Sequence, residues 1–107
     1  MVITVFRSRL RPEAREEYER WAGRMHQLAT AMPGFVSNKT FAADDGERVS
    51  IIEFESEATH GAWRDHPEHR EAQRLGRERF YAEFQIQVCS LVRRYGISRA
   101  AGQGRQD

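Results

Sequence analysis

The chain has 107 residues, 39% of them apolar and 31% charged, which is room for one domain and excludes a second independent core. Seventeen basic and sixteen acidic side chains leave a formal net charge of +1, so no overall field draws in nucleic acid or an anionic membrane. The apolar runs near Met1–Phe6 and Gln87–Val92 fall far short of the roughly 20 residues that span a bilayer.

The amino terminus runs straight into Val2-Ile3-Thr4-Val5-Phe6 with no leader-peptide pattern, from which a cytoplasmic location is expected. Residues Val2–Leu10 are β-rich and hand over at Arg11-Pro12 to a helix, where proline suits the first turn. From Glu13 the apolar positions Ala14, Tyr18, Trp21, Ala22, Met25, Leu28, Ala29 and Met32 step by three and four and draw one stripe on a helix. His26 sits at the boundary of that stripe. Pro33-Gly34 stops the helix.

Phe35–Ala42 reads as a strand, and Asp45-Gly46 signals a tight hairpin to a partner strand over Arg48–Phe54. Ser56 caps a second helix through Glu57–Arg64. Pro67 predicts a kink near Asp65–His66 and a new segment through about Phe80, with Asp65 and Glu68 at capping-box spacing. Glu83–Arg94 alternates Phe84, Ile86 and Val88 with Gln85, Gln87 and Cys89, as a last strand does. Cys89, the only cysteine, excludes an intrachain disulfide and a multi-thiolate metal site and reads as a small core residue. Residues 1–95 form the domain, and residues 96–107, without periodicity, are expected to be a flexible tail.

The order βαββαβ fits an α+β, ferredoxin-like plan: a four-stranded antiparallel sheet with two helices on one face. Strand one carries Ile3 and Val5 on one side and Val2 and Phe6 on the other, and strand three repeats this with Val49 and Ile51 against Ile52 and Phe54. A sheet with a wet face would be apolar on alternate positions only. A second copy of the chain, paired sheet to sheet, is the expected cover for the face without helices.

Trp63, His66, Pro67 and His69 lie together where the second helix kinks. An indole offers a flat surface to an aromatic ligand, and an imidazole exchanges protons near neutral pH; the same residues also fit a packed tryptophan beside exposed histidines. The spacing of His60, His66 and His69 does not build a metal site, and no HExxH is present. Asn38 and Arg7, on strands, are candidates for polar groups in a cavity or at a dimer rim. Phe6, Phe41, Phe80 and Phe84 supply ring surface, and Tyr81 adds a hydroxyl. Arg74, Arg77 and Arg79 with Glu71 and Glu78 read as a solvated, ion-paired helix face. No glycine-rich phosphate loop, GxSxG or CxxC appears.

Met32-Pro33-Gly34-Phe35, the run Asp45-Gly46 to Val49-Ser50-Ile51-Ile52-Glu53-Phe54, and Ala62-Trp63-Arg64-Asp65-His66-Pro67-Glu68-His69 together resemble the antibiotic biosynthesis monooxygenase family of the dimeric α–β barrel superfamily. The resemblance implies a homodimer with a pocket between sheet and helices in each subunit, and a monooxygenase that oxidises an electron-rich aromatic or quinol-type small molecule with O2, with no cofactor and no metal. It implies Trp63 and Phe41 as pocket wall, His66 or His69 as proton carrier, and Asn38, Arg7 or Tyr81 as partners of developing negative charge. The alternatives are a non-catalytic dimeric module that binds a small molecule, or a haem-binding protein. The haem-degrading branch is disfavoured, because Arg7 and Gln73 stand where that branch keeps asparagine and histidine.

Overall fold

The computed structural model describes residues 1–99. Strand β1 (Val2–Leu10) leads through a 3₁₀ turn (Pro12–Ala14) into helix α1 (Arg15–Thr30). Strands β2 (Phe35–Ala42) and β3 (Arg48–Phe54) follow, then helices α2 (Glu57–Arg64) and α3 (Pro67–Leu75), a π-helical turn (Gly76–Phe80) and strand β4 (Tyr81–Ser90). The strands form one antiparallel sheet in the order β2-β3-β1-β4, the expected α+β, ferredoxin-like arrangement.

Local chemistry sets the boundaries. Ser56 Oγ accepts from the Thr59 amide at 3.1 Å while Thr59 Oγ1 accepts from the Ser56 amide at 3.1 Å, a reciprocal cap that satisfies two donors at the start of α2. The kink falls where proline placed it, but the cap of α3 differs from the expected Asp65: His66 Nδ1 accepts from the Glu68 amide at 3.1 Å. Asp65 instead pairs with Arg64 at 3.2 Å.

Strand β4 starts at Tyr81 rather than Glu83 and ends at Ser90 rather than Arg94. A register shift between Arg9 and Leu10 brings Tyr81 opposite Leu10, and beyond Ser90 the partner strand has run out, so that Leu91 N–H donates only to Met1 O. Cys89 is exposed rather than buried, because β4 is an edge strand and its odd positions face away from the helices. Residues 96–99 have no regular structure; the rest of the expected tail, residues 100–107, lies outside the described residues.

Paired residues on β1 and β3 are Val2 and Phe54, Thr4 and Ile52, Phe6 and Ser50; on β1 and β4 they are Thr4 and Val88, Phe6 and Ile86; on β2 and β3, Asn38 and Ile52, Thr40 and Ser50. Side chains alternate along strands, so even-numbered positions share the face that the helices cover. The core on that face is split. Ala14, Leu75 and Phe80 pack with Leu10, Tyr18 and Tyr81 at one end, and Ala29, Phe54 and Trp63 pack with Met25, Leu28, Phe35 and Ile52 at the other.

The turn from α1 into β2 depends on Gly34, which has φ +80° and whose missing Cβ would fall 2.5 Å from Thr59 Cβ. Its carbonyl accepts from the Glu55 amide at 2.8 Å, tying the turn to the start of α2. Gly34→Ala is expected to lower stability by about 2 kcal/mol or more, the combined cost of a left-handed non-glycine residue and a steric clash, read as a lower melting temperature in a thermal scan.

Candidate functional site

Between the two core clusters the helices stand off the sheet and enclose a cavity of about 520 Å3. Its floor follows the even positions of the strands: Thr4 and Phe6, Asn38 and Thr40, Arg48, Ser50 and Ile52, and Phe84, Ile86 and Val88. Its roof follows helical periodicity. Tyr18, Ala22, Met25 and His26 come from α1, His60, Trp63 and Arg64 from α2, and His69, Ala72, Gln73 and Arg77 from α3 and the turn after it; each set is spaced by three and four.

His69 is the titratable group this arrangement defines best. Its ring stacks on the Trp63 indole, with centroids 4.1 Å apart and planes within 10°. Nδ1 lies 3.0 Å from the Trp63 carbonyl oxygen, which only accepts, so Nδ1 carries the proton. Gln73 Nε2 approaches Nδ1 at 3.3 Å but donates to the Arg64 carbonyl at 2.9 Å. The lone pair of His69 is therefore on Nε2. Burial pushes its pKa below the ordinary value of 6.5, with His60 and His66 adding to that direction against the carbonyl bond; the ring is neutral at physiological pH and able to accept a proton.

His60 Nε2 is joined to Thr4 Oγ1 at 3.1 Å, and burial and then Arg64 lower its pKa as well. Phe6, Tyr81 and Phe84 form an aromatic group on the opposite side, with Phe6 and Tyr81 edge to face at 5.2 Å and Tyr81 and Phe84 at 5.7 Å. Burial, reinforced by the neighbouring Tyr18 phenol, raises the Tyr81 pKa, so this hydroxyl stays protonated and acts as a donor. Its ring lies against Gly76, where a Cβ would sit 2.7 Å from Cε2.

The cavity gathers Trp63, His69, Asn38 and Tyr81 from the residues expected in it. The other three stand elsewhere. Arg7 and Phe41 occupy odd positions, opposite Val49, and so project from the other face; Arg7 binds Glu47 through Nε and Nη2 at 2.9 and 3.0 Å. His66 is not a lining residue, because Pro67 restarts the helix and removes it from the phase of His69, and its Nδ1 is committed to the cap of α3.

His60, Arg48, Gln73 and Arg77 went unassigned to the site from sequence. Arg77 was grouped with a solvated face, yet Arg74 binds Glu71 and Glu78, Arg79 binds Glu17, and Arg77 borders the cavity. Spacings available in the sequence, His60 with Trp63 and Arg64, and His69 with Gln73 and Arg77, were the signal for these residues.

The molecule is an α+β domain with a four-stranded antiparallel sheet and an aromatic-walled cavity under its helices. Residues 1–75 match the family described as antibiotic biosynthesis monooxygenase, and YqjZ of Bacillus subtilis is 30% identical over 76 residues, 71% of this chain and 67% of that protein. The chain belongs to the antibiotic biosynthesis monooxygenase family. Among solved structures, Rv0793 from Mycobacterium tuberculosis superimposes with a TM-score of 0.77 at 20% identity, over 89% of this chain and 98% of that one. SnoaB, a cofactor-independent oxygenase from Streptomyces nogalater, does so with a TM-score of 0.72 at 17% identity, over 87% and 94%. At these identities the likeness establishes the shared fold.

The depressed pKa values of His60 and His69 carry a sign for stability. As pH falls through the ordinary value of 6.5, the unfolded imidazoles take up protons before the folded ones do, so folding stability present above that pH is lost below it. The melting temperature is expected to fall between about pH 7.5 and pH 5, and a His60→Gln, His69→Gln variant should show a smaller fall over the same window.

Proposed function

We propose that this chain is a cofactor-independent monooxygenase that oxidises an electron-rich aromatic or quinol-type small molecule with O2. The observation that carries this reading is His69: a neutral imidazole with its lone pair fixed on Nε2, stacked on an indole in the wall of a 520 Å3 cavity. Family membership and the shared fold of SnoaB, described as a cofactor-independent oxygenase, support the same chemistry.

In this scheme the substrate ring lies along Trp63, and His69 Nε2 takes a proton from an activated methylene or phenol. The Asn38 amide, on the strand position paired with Ile52, donates to the oxygen on which negative charge develops. The resulting anion is electron-rich enough to reduce O2 itself. One oxygen atom ends in a new carbonyl, the other leaves as water with the two hydrogens of the methylene, and the substrate supplies all the electrons.

Oxygen consumption over a panel of quinols and anthrone-like compounds tests the reading. His69→Gln is expected to slow uptake by about 10²-fold, the lower range for a lost general base, while His66→Ala leaves the rate unchanged. An unchanged rate in His69→Gln would remove the proposed base, and a compound retained in the cavity without turnover would favour a binding module instead.

The same reading includes a homodimer joined through the sheet face opposite the helices. That face carries Ile3, Val5, Val49, Ile51 and Phe41, with Ile51 36% and Phe41 49% exposed in the single chain; an apolar strip of this kind is best covered by a second copy of itself. Light scattering at micromolar concentration is expected to give twice the chain mass of 12.5 kDa. A monomer there would sink this assignment.

A further inference from the structure

The side chains around the cavity carry an uneven charge. Arg48, Arg64 and Arg77 line it together with His26, His60 and His69, and none of its lining residues is aspartate or glutamate. Many arginines elsewhere pair with carboxylates, as in Arg7 with Glu47, Arg9 with Asp45, Arg24 with Glu68 and Arg79 with Glu17. Arg64 likewise pairs with Asp65. Arg48 and Arg77 have no carboxylate within ion-pair distance among the described residues; Arg11, Arg70 and Arg93 share that state, but of these only Arg48 and Arg77 line the cavity.

Their placement is specific. The Arg48 guanidinium lies 5.2 Å from the centroid of the Tyr18 ring, which orients it through a cation–π contact and leaves its N–H fork without an acidic partner. Tyr18 in turn packs edge to face with Tyr81 at 6.0 Å. Arg77 is on the π-helical turn that opens at Gly76, against the Tyr81 ring. The two cations thus flank the tyrosine end of the cavity. Trp63 and His69 mark the other end, beside Ile52. Arg48 and Ile52 are four residues apart on one strand face, about 13 Å at ~3.3 Å per residue.

From this we infer that the cavity takes an aromatic acid, with the carboxylate held by Arg48 and Arg77 at the tyrosine end and the reacting ring directed toward Trp63 and His69. The inference rests on the cavity being the substrate site and adds the acidic class of the substrate and the residues that select it. A planar guanidinium fork binds a carboxylate through two parallel hydrogen bonds, and a site built to pair such a group rejects a neutral analogue that leaves both cations unmatched.

Anthraquinone-2-carboxylate and its methyl ester serve as matched probes, with binding followed by tryptophan fluorescence quenching. The acid is expected to bind about tenfold more tightly than the ester, and added potassium chloride should narrow that gap without weakening the ester. In an Arg48→Gln, Arg77→Gln variant the gap should close while ester binding persists, which also shows that the cavity is intact; Arg48→Lys with Arg77→Lys should retain part of it. Equal affinities for acid and ester in the native protein, or a gap that survives the double glutamine variant, would overturn the inference. Should that variant fail to bind the ester, the native acid-to-ester ratio and its salt dependence decide the matter. These measurements need no turnover. Acid-selective binding without oxygen uptake would overturn the monooxygenase reading and leave the anion site standing, whereas uptake on neutral quinols with no preference for acids would do the reverse.

Discussion

The site depends first on the double register of β1. This central strand is hydrogen-bonded along both edges, and on both sides it pairs even positions with even positions: Thr4 with Ile52 and Val88, Phe6 with Ser50 and Ile86. A slip of one residue on either side would turn a whole strand over. It would carry Arg48, Ser50 and Ile52, or Phe84, Ile86 and Val88, to the face without helices and dismantle the cavity floor. Two local irregularities adjust the rule at its ends. The shift near Phe35 and the bulge at Arg9–Leu10 let the odd-numbered Phe35 and Tyr81 join the helix side, where each packs into one of the two core clusters.

Those clusters explain why there is a cavity at all. Large side chains fill the sheet–helix layer at both ends, Phe80 and Leu75 at one and Phe54 and Trp63 at the other. The middle floor is built from the small side chains of Thr4, Asn38, Thr40 and Ser50, and Thr4 meets the roof through a hydrogen bond to His60 Nε2 at 3.1 Å. Its apolar part, Phe84, Ile86 and Val88, is 40–55% exposed, because the edge strand β4 lies beyond the span of the helices. A continuous core would give a more stable domain at about 25 cal/mol for each Å2 of apolar surface removed from water. The interruption leaves the space between sheet and helices unfilled.

Periodicity made most of the fold legible in the sequence. Proline and glycine at Pro12, Pro33-Gly34, Asp45-Gly46 and Pro67 marked the ends of elements, and β2 and β3 fall between the residues expected. What the sequence did not display was phase across breaks. Arg7 was a pocket candidate as a polar group on a strand and Phe41 as ring surface from the sheet, but strand parity sends both to the opposite face. The bulge that rescues Tyr81 leaves no local mark, since it arises from pairing with a distant strand. Cys89 looked buried for a similar reason: alternation gives sidedness, and only topology shows that β4 is an edge.

His66 and His69 carry this lesson into chemistry. Three residues apart, they would share a face in an unbroken helix; Pro67 marked His66 as a cap or kink residue in the sequence, yet both remained candidates for the proton carrier. Proline at 67 makes His66 the last residue before a new helix, where its Nδ1 lone pair serves a backbone N–H. His69, one turn inside, meets a carbonyl instead, so its Nδ1 must donate. The two rings therefore adopt opposite tautomers when neutral, fixed by which end of a helix each one faces. Only His69 also stacks face to face on the Trp63 indole, and burial lowers its pKa. A single proline thus separates a histidine that caps a helix from one that lines the cavity, and it does so through backbone hydrogen bonds.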